Sequence, residues 1–220
     1  MLLYNKYIVD LGGEKMLFFR NLVKNVMSIY MHIVYRMKID GLENIPKEGG
    51  AILCSNHIHA LDSIAYGVHI KRMVYAMAKE ALFRTKFKNW FMRHIGCFPV
   101  KAGAASEEAI NTAIDLLKRG ELVMIFPEGT RNGIAKGVKP KKGAALIAVK
   151  AGVPIIPMGI MGTFKPFSKI VMHIGKPIDT STYSSEEINP REVVKLSSEV
   201  WDEVVRLTEL PQINKKTVDK

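Results

Sequence analysis

From Lys38 onward the chain alternates short apolar runs, typical of β-strands, with longer stretches of helical periodicity. Strands that alternate with helices in this way are characteristic of an α/β domain, in which helices cover a largely parallel sheet. We therefore predict a mixed, largely parallel central sheet flanked by helices. The predicted strands lie at residues 39–42, 51–55, 73–78, 98–100, 122–126, 155–160 and 169–174, and the clearest predicted helices lie at residues 106–119 and 184–207.

The N-terminal segment, residues 1–38, precedes this alternation and contains a predicted amphipathic helix from about residue 14 to residue 38. Such a helix suits the headgroup region of a membrane, although the same pattern also describes a helix packed on the domain's own core. The apolar positions at helical spacing are Phe18, Leu22, Val26, Ile29 and Ile33, and the cations around them are Lys15, Arg20, Lys24 and Arg36.

Chain length and hydropathy limit the organisation of the protein. A chain of 220 residues with 48% hydrophobic residues can bury one sizeable core. We therefore expect a single domain over residues 39–210, followed by a disordered tail over residues 211–220. The sequence shows neither a convincing secretory signal nor an apolar run long enough to span a membrane, so we expect a peripheral or monotopic protein.

The charge and the cysteines restrict the partners and the compartment. The formal net charge of +11 predicts an anionic partner, which could be a phospholipid surface, a phosphorylated substrate or nucleic acid. Charge alone does not choose among these three. The only two cysteines of the chain, Cys54 and Cys97, stand in apolar stretches, which indicates buried free thiols and a reducing compartment.

A histidine and an aspartate follow the predicted strand at residues 51–55. His57 and Asp62 are five positions apart, and on an ideal helix an offset of about 140° would keep their side chains from meeting. A loop that turns into a helix near Asp62 would instead fold the carboxylate back onto the imidazole. The carboxylate would then fix the ring tautomer and leave the other ring nitrogen as a general base. An aspartate that only caps the helix is the alternative.

A second polar cluster follows the apolar strand at residues 122–126. Gly129 permits close approach of the backbone, Thr130 offers a hydroxyl, and Arg131 carries the planar guanidinium that suits phosphate. This pattern predicts an anion-binding loop at the end of the strand. Simple pairing of Glu128 with Arg131 across a turn is the alternative.

Together these motifs resemble the glycerophospholipid acyltransferase family, in particular the 1-acylglycerol-3-phosphate acyltransferases. Four family blocks occur in the family's order, over about residues 38–175. The resemblance implies a glycerolphosphate-acyltransferase-like fold. The matches are Asn56, His57 and Asp62 in the first block, residues 96–101 in the second, Phe126 to Arg131 in the third without a substitution, and residues 153–159 in the fourth.

The resemblance also implies a reaction. His57 would take the proton from the acceptor hydroxyl as its oxygen attacks an acyl thioester, and Asp62 would hold His57. The acyl group would pass directly, without an acyl-enzyme, from acyl-CoA or acyl carrier protein to the sn-2 hydroxyl of 1-acylglycerol-3-phosphate, giving phosphatidic acid. Another lyso-lipid acceptor is the alternative within the family. No metal and no cofactor beyond the thioester co-substrate is implied.

Phosphate binding and location follow from the same resemblance. The acceptor phosphate would contact the loop of Glu128, Gly129, Thr130 and Arg131, together with Lys101 and Lys79. Lys101 stands where the family usually has arginine, which keeps the cation but loses the bidentate fork. An enzyme of this kind would work on a membrane surface with anionic lipid, at its cytoplasmic face.

Two hypotheses from other classes compete with this interpretation. A metallohydrolase could use His57, His59 and Asp62 as ligands, because a His-x-His pair projects two imidazoles to one side of an extended strand. A basic nucleic-acid-binding module would account for the charge of +11. However, no nucleic-acid motif is present, and that module would leave the run from Phe126 to Arg131 unexplained.

Overall fold

The structure is a computed structural model that describes residues 14–100, 106–183 and 189–210, with side chains from residue 18 onward. Within these ranges the chain forms seven strands and six α-helices. The strands are β1 (Arg36–Asp40), β2 (Ala51–Ser55), β3 (Val74–Lys79), β4 (Cys97–Val100), β5 (Leu122–Ile125), β6 (Ile155–Gly162) and β7 (Lys169–Ile174). The helices are α1 (Glu14–Val34), α2 (Asp62–His69), α3 (Lys86–His94), α4 (Glu107–Lys118), α5 (Gly143–Ala151) and α6 (Pro190–Glu209).

The strands form one sheet in the order β1-β7-β6-β2-β5-β3-β4. All neighbouring strands run parallel except β6 and β7, which are antiparallel, so the predicted mixed and largely parallel sheet is confirmed. Parallel neighbours end at the same edge of a sheet. The loops that follow β2, β5 and β3 therefore leave from one edge, and the first and third motif blocks lie in the loops after β2 and β5.

Several predicted boundaries differ from the observed ones, and the differences at the first strand and the last helix involve a turn and a cap. The first strand begins at Arg36, three residues before the predicted start, and ends before Gly41, whose φ of 75° turns the chain. A Cβ on Gly41 would lie 2.1 Å from the carbonyl oxygen of Ile174, so only glycine fits this turn. The last helix, predicted from Ser184, begins at Pro190, because Asn189 caps it and proline suits the first helical turn. Residues 184–188 lie outside the described residues.

Both faces of the sheet are covered by helices, and successive side chains of a strand point alternately into two hydrophobic cores. In β2, Ala51 and Leu53 point to the face that α1 and α2 cover, whereas Ile52 and Cys54 point to the face that α4, α5 and α6 cover. All four side chains are fully buried, as expected for a parallel strand with helices on both sides. The face with α1 and α2 is called the α1 face below, and the other the α6 face.

Helix α1 packs on the sheet with one side only. Met31 is fully buried, and the Lys24 ammonium donates to the carbonyl oxygen of Ile70. Burial lowers the pKa of Lys24, and the nearby charge of Arg20 lowers it further. Lys24, one of the four cations expected around the apolar stripe, therefore faces the domain. The five apolar positions predicted from the helical spacing are all exposed: Phe18, Leu22, Val26, Ile29 and Ile33.

None of the helices in the described ranges is long and apolar enough to cross a membrane.

Candidate active site

His57 and Asp62 meet in the loop between β2 and α2. The imidazole Nδ1 lies 2.7 Å from Asp62 Oδ2, and the carboxylate is fully buried while the ring is 21% exposed. Because a carboxylate accepts, Nδ1 carries the proton and Nε2 is left with a lone pair. The predicted return of the carboxylate onto the ring is confirmed, and the chain turns into helix at Asp62 itself.

The Asp62 carboxylate holds the loop that precedes it and does not cap its own helix. Its Oδ2 atom accepts hydrogen bonds from the backbone N–H of Ile58, at 2.7 Å, and of His59, at 2.9 Å. No side-chain hydrogen bond caps the N-terminus of α2. The capping alternative is therefore wrong. Three donors converge on one oxygen, an arrangement that fixes both the carboxylate and the ring that it holds.

Two neighbours fix the position of His57 further. Its ring stacks on Phe126, the residue after β5, with centroids 4.2 Å apart. Asn56, which precedes it, is buried and exchanges two hydrogen bonds with the backbone of Ile160 in β6, at 2.9 and 2.8 Å. The end of β2 thus contacts both adjacent strands, and these contacts hold His57 in position.

The buried Glu128 side chain holds the loop after β5 in place through hydrogen bonds to backbone amides. Its carboxylate accepts from the backbone N–H of Gly133, at 2.8 Å, and of His57, at 3.4 Å, and the residue is only 2% exposed. Burial raises the pKa of Glu128, and the two backbone hydrogen bonds oppose this rise in part. The carboxylate thus joins the two motif loops. This position differs from the phosphate contact that the resemblance implies, and pairing with Arg131 is not found among the described ion pairs.

The backbone of the second loop also contacts the first. The N–H of Asn132 donates to the carbonyl oxygen of His57 at 2.6 Å, and Asn132 adopts a positive φ of 57°, which asparagine tolerates. A Cβ on Gly133 would lie 2.6 Å from Glu128 Oε2, so only glycine lets the carboxylate reach this amide. Neither Asn132 nor Gly133 was predicted as part of the site. A glycine two places beyond the Arg131 motif was the available signal.

The other described residues expected to bind phosphate lie in the loops that follow β5 and β3 or at the ends of these strands. Gly129, Thr130 and Arg131 are exposed, and Lys79 is exposed at the end of β3, two strands from His57. The Lys141 side chain lies over Gly129, where a Cβ would be 3.0 Å from the ammonium nitrogen. Lys101, the remaining predicted cation, lies outside the described residues.

Comparison with known proteins decides the family. The sequence model of the Acyltransferase family matches residues 36–161, which include both motif loops. The chain belongs to the acyltransferase family. It is 32% identical to the 1-acyl-sn-glycerol-3-phosphate acyltransferase of Bacillus subtilis over 167 residues, which are 73% of this chain and 82% of that protein.

A second relative and a solved structure extend this similarity over nearly the whole chain. The 1-acyl-sn-glycerol-3-phosphate acyltransferase of Streptococcus pneumoniae is 29% identical over 218 residues, which are 95% of this chain and 80% of that protein. The crystal structure of the 1-acyl-sn-glycerophosphate (LPA) acyltransferase PlsC from Thermotoga maritima superposes with a TM-score of 0.65 at 27% identity, covering 96% of this chain and 91% of that chain. The glycerolphosphate-acyltransferase-like fold is thus confirmed.

The metallohydrolase hypothesis requires His57, His59 and Asp62 to bind one metal ion. In the part of the chain that the structure describes, no three His, Cys, Asp or Glu side chains are grouped so as to hold a metal ion. His59 Nδ1 accepts the backbone N–H of Leu61 at 3.3 Å, and its ring stacks on Phe164 with centroids 4.6 Å apart. The second imidazole of the His-x-His pair thus contacts Leu61 and Phe164, whereas the Asp62 carboxylate holds the imidazole of His57.

The two cysteines of the acyltransferase are free thiols, as predicted. Cys54 lies in β2, fully buried, and burial together with the charge of Glu128 raises its pKa to about 12. Burial raises the pKa of Cys97 to about 11. Since the thiolate is the nucleophile, neither residue is poised to form an acyl-enzyme at neutral pH.

We expect the native protein to resist alkylation by iodoacetamide at pH 8. With a pKa of about 12, only about 10⁻⁴ of Cys54 is thiolate at this pH, and its burial blocks access as well. Mass spectrometry should show labelling about 100-fold slower than in urea-unfolded protein, with acyl-transfer activity retained. Rapid labelling that parallels loss of activity would instead indicate a catalytic thiol.

Proposed function

We propose that this acyltransferase moves a fatty acyl group from acyl-CoA or acyl carrier protein to the sn-2 hydroxyl of 1-acylglycerol-3-phosphate, giving phosphatidic acid for phospholipid synthesis. The names of its relatives support 1-acylglycerol-3-phosphate as the acceptor. The observation that carries the chemistry is the 2.7 Å contact between His57 Nδ1 and Asp62 Oδ2, because it leaves Nε2 able to accept a proton.

The proposed reaction is a direct transfer. Nε2 of His57 removes the proton of the acceptor hydroxyl while the oxygen attacks the thioester carbonyl, and a C–O bond forms. When the tetrahedral intermediate collapses, the C–S bond breaks and the proton passes from His57 to the departing thiolate. Asp62 stabilises the imidazolium that exists between these steps. The exposed loop from Gly129 to Arg131 holds the acceptor phosphate, with Lys79 and Lys101 as further cations.

An acyl-transfer screen tests this function. Purified protein would be supplied with several lyso-lipid acceptors and with both donor types, and products would be measured by mass spectrometry. We expect phosphatidic acid from 1-acylglycerol-3-phosphate. A product from a different lyso-lipid alone would keep the family chemistry and change the acceptor, and the absence of any product would contradict the proposal.

Replacing Arg131 with alanine should chiefly weaken acceptor binding. The guanidinium offers a charge-assisted, bidentate contact to phosphate, so its loss should raise the acceptor KM roughly 10- to 100-fold while kcat and the donor KM change little. Initial-rate kinetics with both substrates varied would measure this. Arg191→Ala, which removes an exposed arginine from the start of α6, is the matched control. An unchanged acceptor KM for Arg131→Ala would contradict the phosphate role.

We also propose that the α1 face lies on the cytoplasmic face of a membrane, as a peripheral or monotopic attachment. Phe18 and Ile33 are 70% and 69% exposed at the two ends of the apolar stripe of α1. Helix α3 extends this surface, since Trp90 contacts Phe19 with ring centroids 5.1 Å apart and Phe87 is 72% exposed. Exposed apolar side chains next to the cations of α3 suit an anionic lipid surface.

The double substitution Ile29→Glu and Ile33→Glu should weaken binding to anionic vesicles. Each isoleucine contributes about 1.5–3 kcal/mol when fully buried in an apolar phase, so co-sedimentation should fall by roughly tenfold or more. Both residues are well exposed, so the fold should survive, whereas deleting residues 1–38 would also remove three of the five residues of β1 and buried Met31. Val194→Glu, an exposed apolar position on the α6 face, is the control. Equal sedimentation of all proteins would contradict this attachment.

A further inference from the structure

A groove lies between α6 and the loop that follows the Arg131 motif. It has a volume of about 960 Å³, within the usual range for ligand sites, and Ile134 and residues 137–142 of the loop form one wall. Val194, Trp201 and Val205 of α6 form the other wall. The proposed reaction has assigned no substrate to this groove.

The wall from α6 is a second stripe on that helix, distinct from its buried stripe. The side chains that face the groove follow helical spacing, at positions 194, 197, 198, 201 and 205, and include two serines but no charged residue. None of the acidic residues of α6 lines the groove. Val194 is 54% exposed, so this apolar wall is open to solvent and available to a ligand.

The opposite wall is cationic. Lys139, Lys141 and Lys142 all line the groove, and all three are exposed. An apolar wall with hydroxyl groups, opposite a wall that carries three cations, is complementary to an extended, amide-containing chain that carries phosphate. A bare lipid tail would not need the lysines, and a free phosphate would not need the apolar wall.

The groove reaches the catalytic edge from the α6 face. The N–H of Lys141 donates to the carbonyl oxygen of Pro127, and the Lys141 side chain lies over Gly129. Ile134 lines the groove two residues after Asn132, whose N–H donates to the carbonyl oxygen of His57. The wall of the groove is therefore continuous with the loop that touches the catalytic histidine.

We propose that this groove binds the phosphopantetheine arm of the acyl donor, with its phosphate on the lysines and its thioester end at His57. The proposal rests on the proposed acyl transfer and adds where the donor binds. It also separates the two substrates, since the lipid acceptor arrives from the α1 face and the water-soluble donor from the α6 face. Phosphopantetheine is common to coenzyme A and to acyl carrier protein, so either carrier can supply it.

Tryptophan fluorescence measures donor binding without turnover. The chain has two tryptophans, so Trp90→Phe leaves Trp201, in the wall of the groove, as the only one. This variant would be titrated with coenzyme A, with 4′-phosphopantetheine and with holo-acyl carrier protein. We expect a saturable change in fluorescence. A change with coenzyme A assigns the nucleotide carrier as donor, and a change with the carrier protein alone assigns that protein.

Charge reversal of the cationic wall tests the lysines. In the same background, Lys139→Glu with Lys142→Glu should weaken binding roughly tenfold or more and raise the donor KM to match, while the acceptor KM stays constant. Lys118→Glu with Lys150→Glu makes the same change of charge at exposed positions of α4 and α5, outside the groove, and should bind as the parent does.

The outcomes separate this proposal from the proposed function. Absence of a fluorescence change with all three probes would overturn the groove as donor site, and so would equal affinities in the two charge-reversed proteins. A protein that binds the donor probes through these lysines yet does not acylate 1-acylglycerol-3-phosphate would contradict the acceptor and leave the groove assigned.

Discussion

Replacement of His57 by alanine is expected to lower kcat roughly 10²- to 10⁴-fold and to leave the protein folded. No other imidazole is held by the buried Asp62 carboxylate, so the variant has no group in place to take the proton of the acceptor hydroxyl. The side chain is 21% exposed, and its removal costs one hydrogen bond and the stacking on Phe126 without opening a deep cavity. Acyl-transfer rates and a thermal melt by circular dichroism would measure both effects.

The neighbouring histidine provides the matched control. His59→Ala removes an imidazole two residues away, whose Nδ1 accepts only a backbone N–H and whose ring stacks on Phe164. We expect this variant to keep kcat within a few-fold. Full activity in His57→Ala would contradict the assigned base. Equal losses in both variants, together with loss of activity on chelation, would favour the metallohydrolase ligand set.

The sheet and the contact between His57 and Asp62 could be predicted because their signals are local. Each of the seven predicted strands overlaps an observed strand, since an apolar run buried on both faces is recognisable without knowledge of its neighbours. The return of Asp62 onto His57 needs only five residues of chain and a turn, so spacing and side-chain chemistry were enough to indicate it. The boundary errors at β1 and α6 arise where Gly41 and Asn189 set the turn and the cap.

The supports of the site could not be predicted in the same way. Glu128 contacts the amide of His57 from 71 positions away in sequence, and Asn56 contacts Ile160 from 104 positions away. Such contacts depend on which strands are neighbours in the sheet, and nothing in the local pattern of either segment states this. Glu128 was therefore assigned by its motif to the phosphate, whereas its surroundings make it an internal brace.

The orientation of α1 illustrates a further limit of periodicity. Helical spacing identifies a stripe of apolar residues but does not tell whether that stripe faces the domain or the outside. Here Met31 and Lys24 face the domain, and the stripe from Phe18 to Ile33 faces outward. Only the packing of α1 on the sheet shows which side of this helix faces the domain.

Asp62→Asn is expected to lower kcat roughly 10²- to 10⁴-fold with little change in either KM. Asparagine has nearly the same shape, but it brings no negative charge to the imidazolium that forms during transfer. Of the two carboxylate oxygens, Oδ2 accepts from His57, Ile58 and His59, whereas Oδ1 is buried without a partner among the described residues. The new amide NH₂ must therefore occupy the partnerless site or face three donors. Steady-state kinetics of both substrates would show the selective loss in kcat.

A second histidine–carboxylate pair in the same chain makes the control for this prediction. In β1 and β7, Asp40 Oδ1 lies 2.6 Å from Nδ1 of His173, a distance close to the 2.7 Å of the His57–Asp62 pair, although Asp40 is 51% exposed and Asp62 is fully buried. Asp40→Asn removes the same charge from the same kind of pair, away from the loops after β2 and β5, and should leave kcat unchanged. If Asp62→Asn retained kcat, or if Asp40→Asn lost as much, orientation and stabilisation of His57 by its carboxylate would not be the source of the rate. Because both variants remove a carboxylate charge from the Nδ1 side of a histidine, a fall in kcat confined to Asp62→Asn, with thermal melts of both variants close to that of the parent, would come from the chemistry at His57 and not from weakened folding.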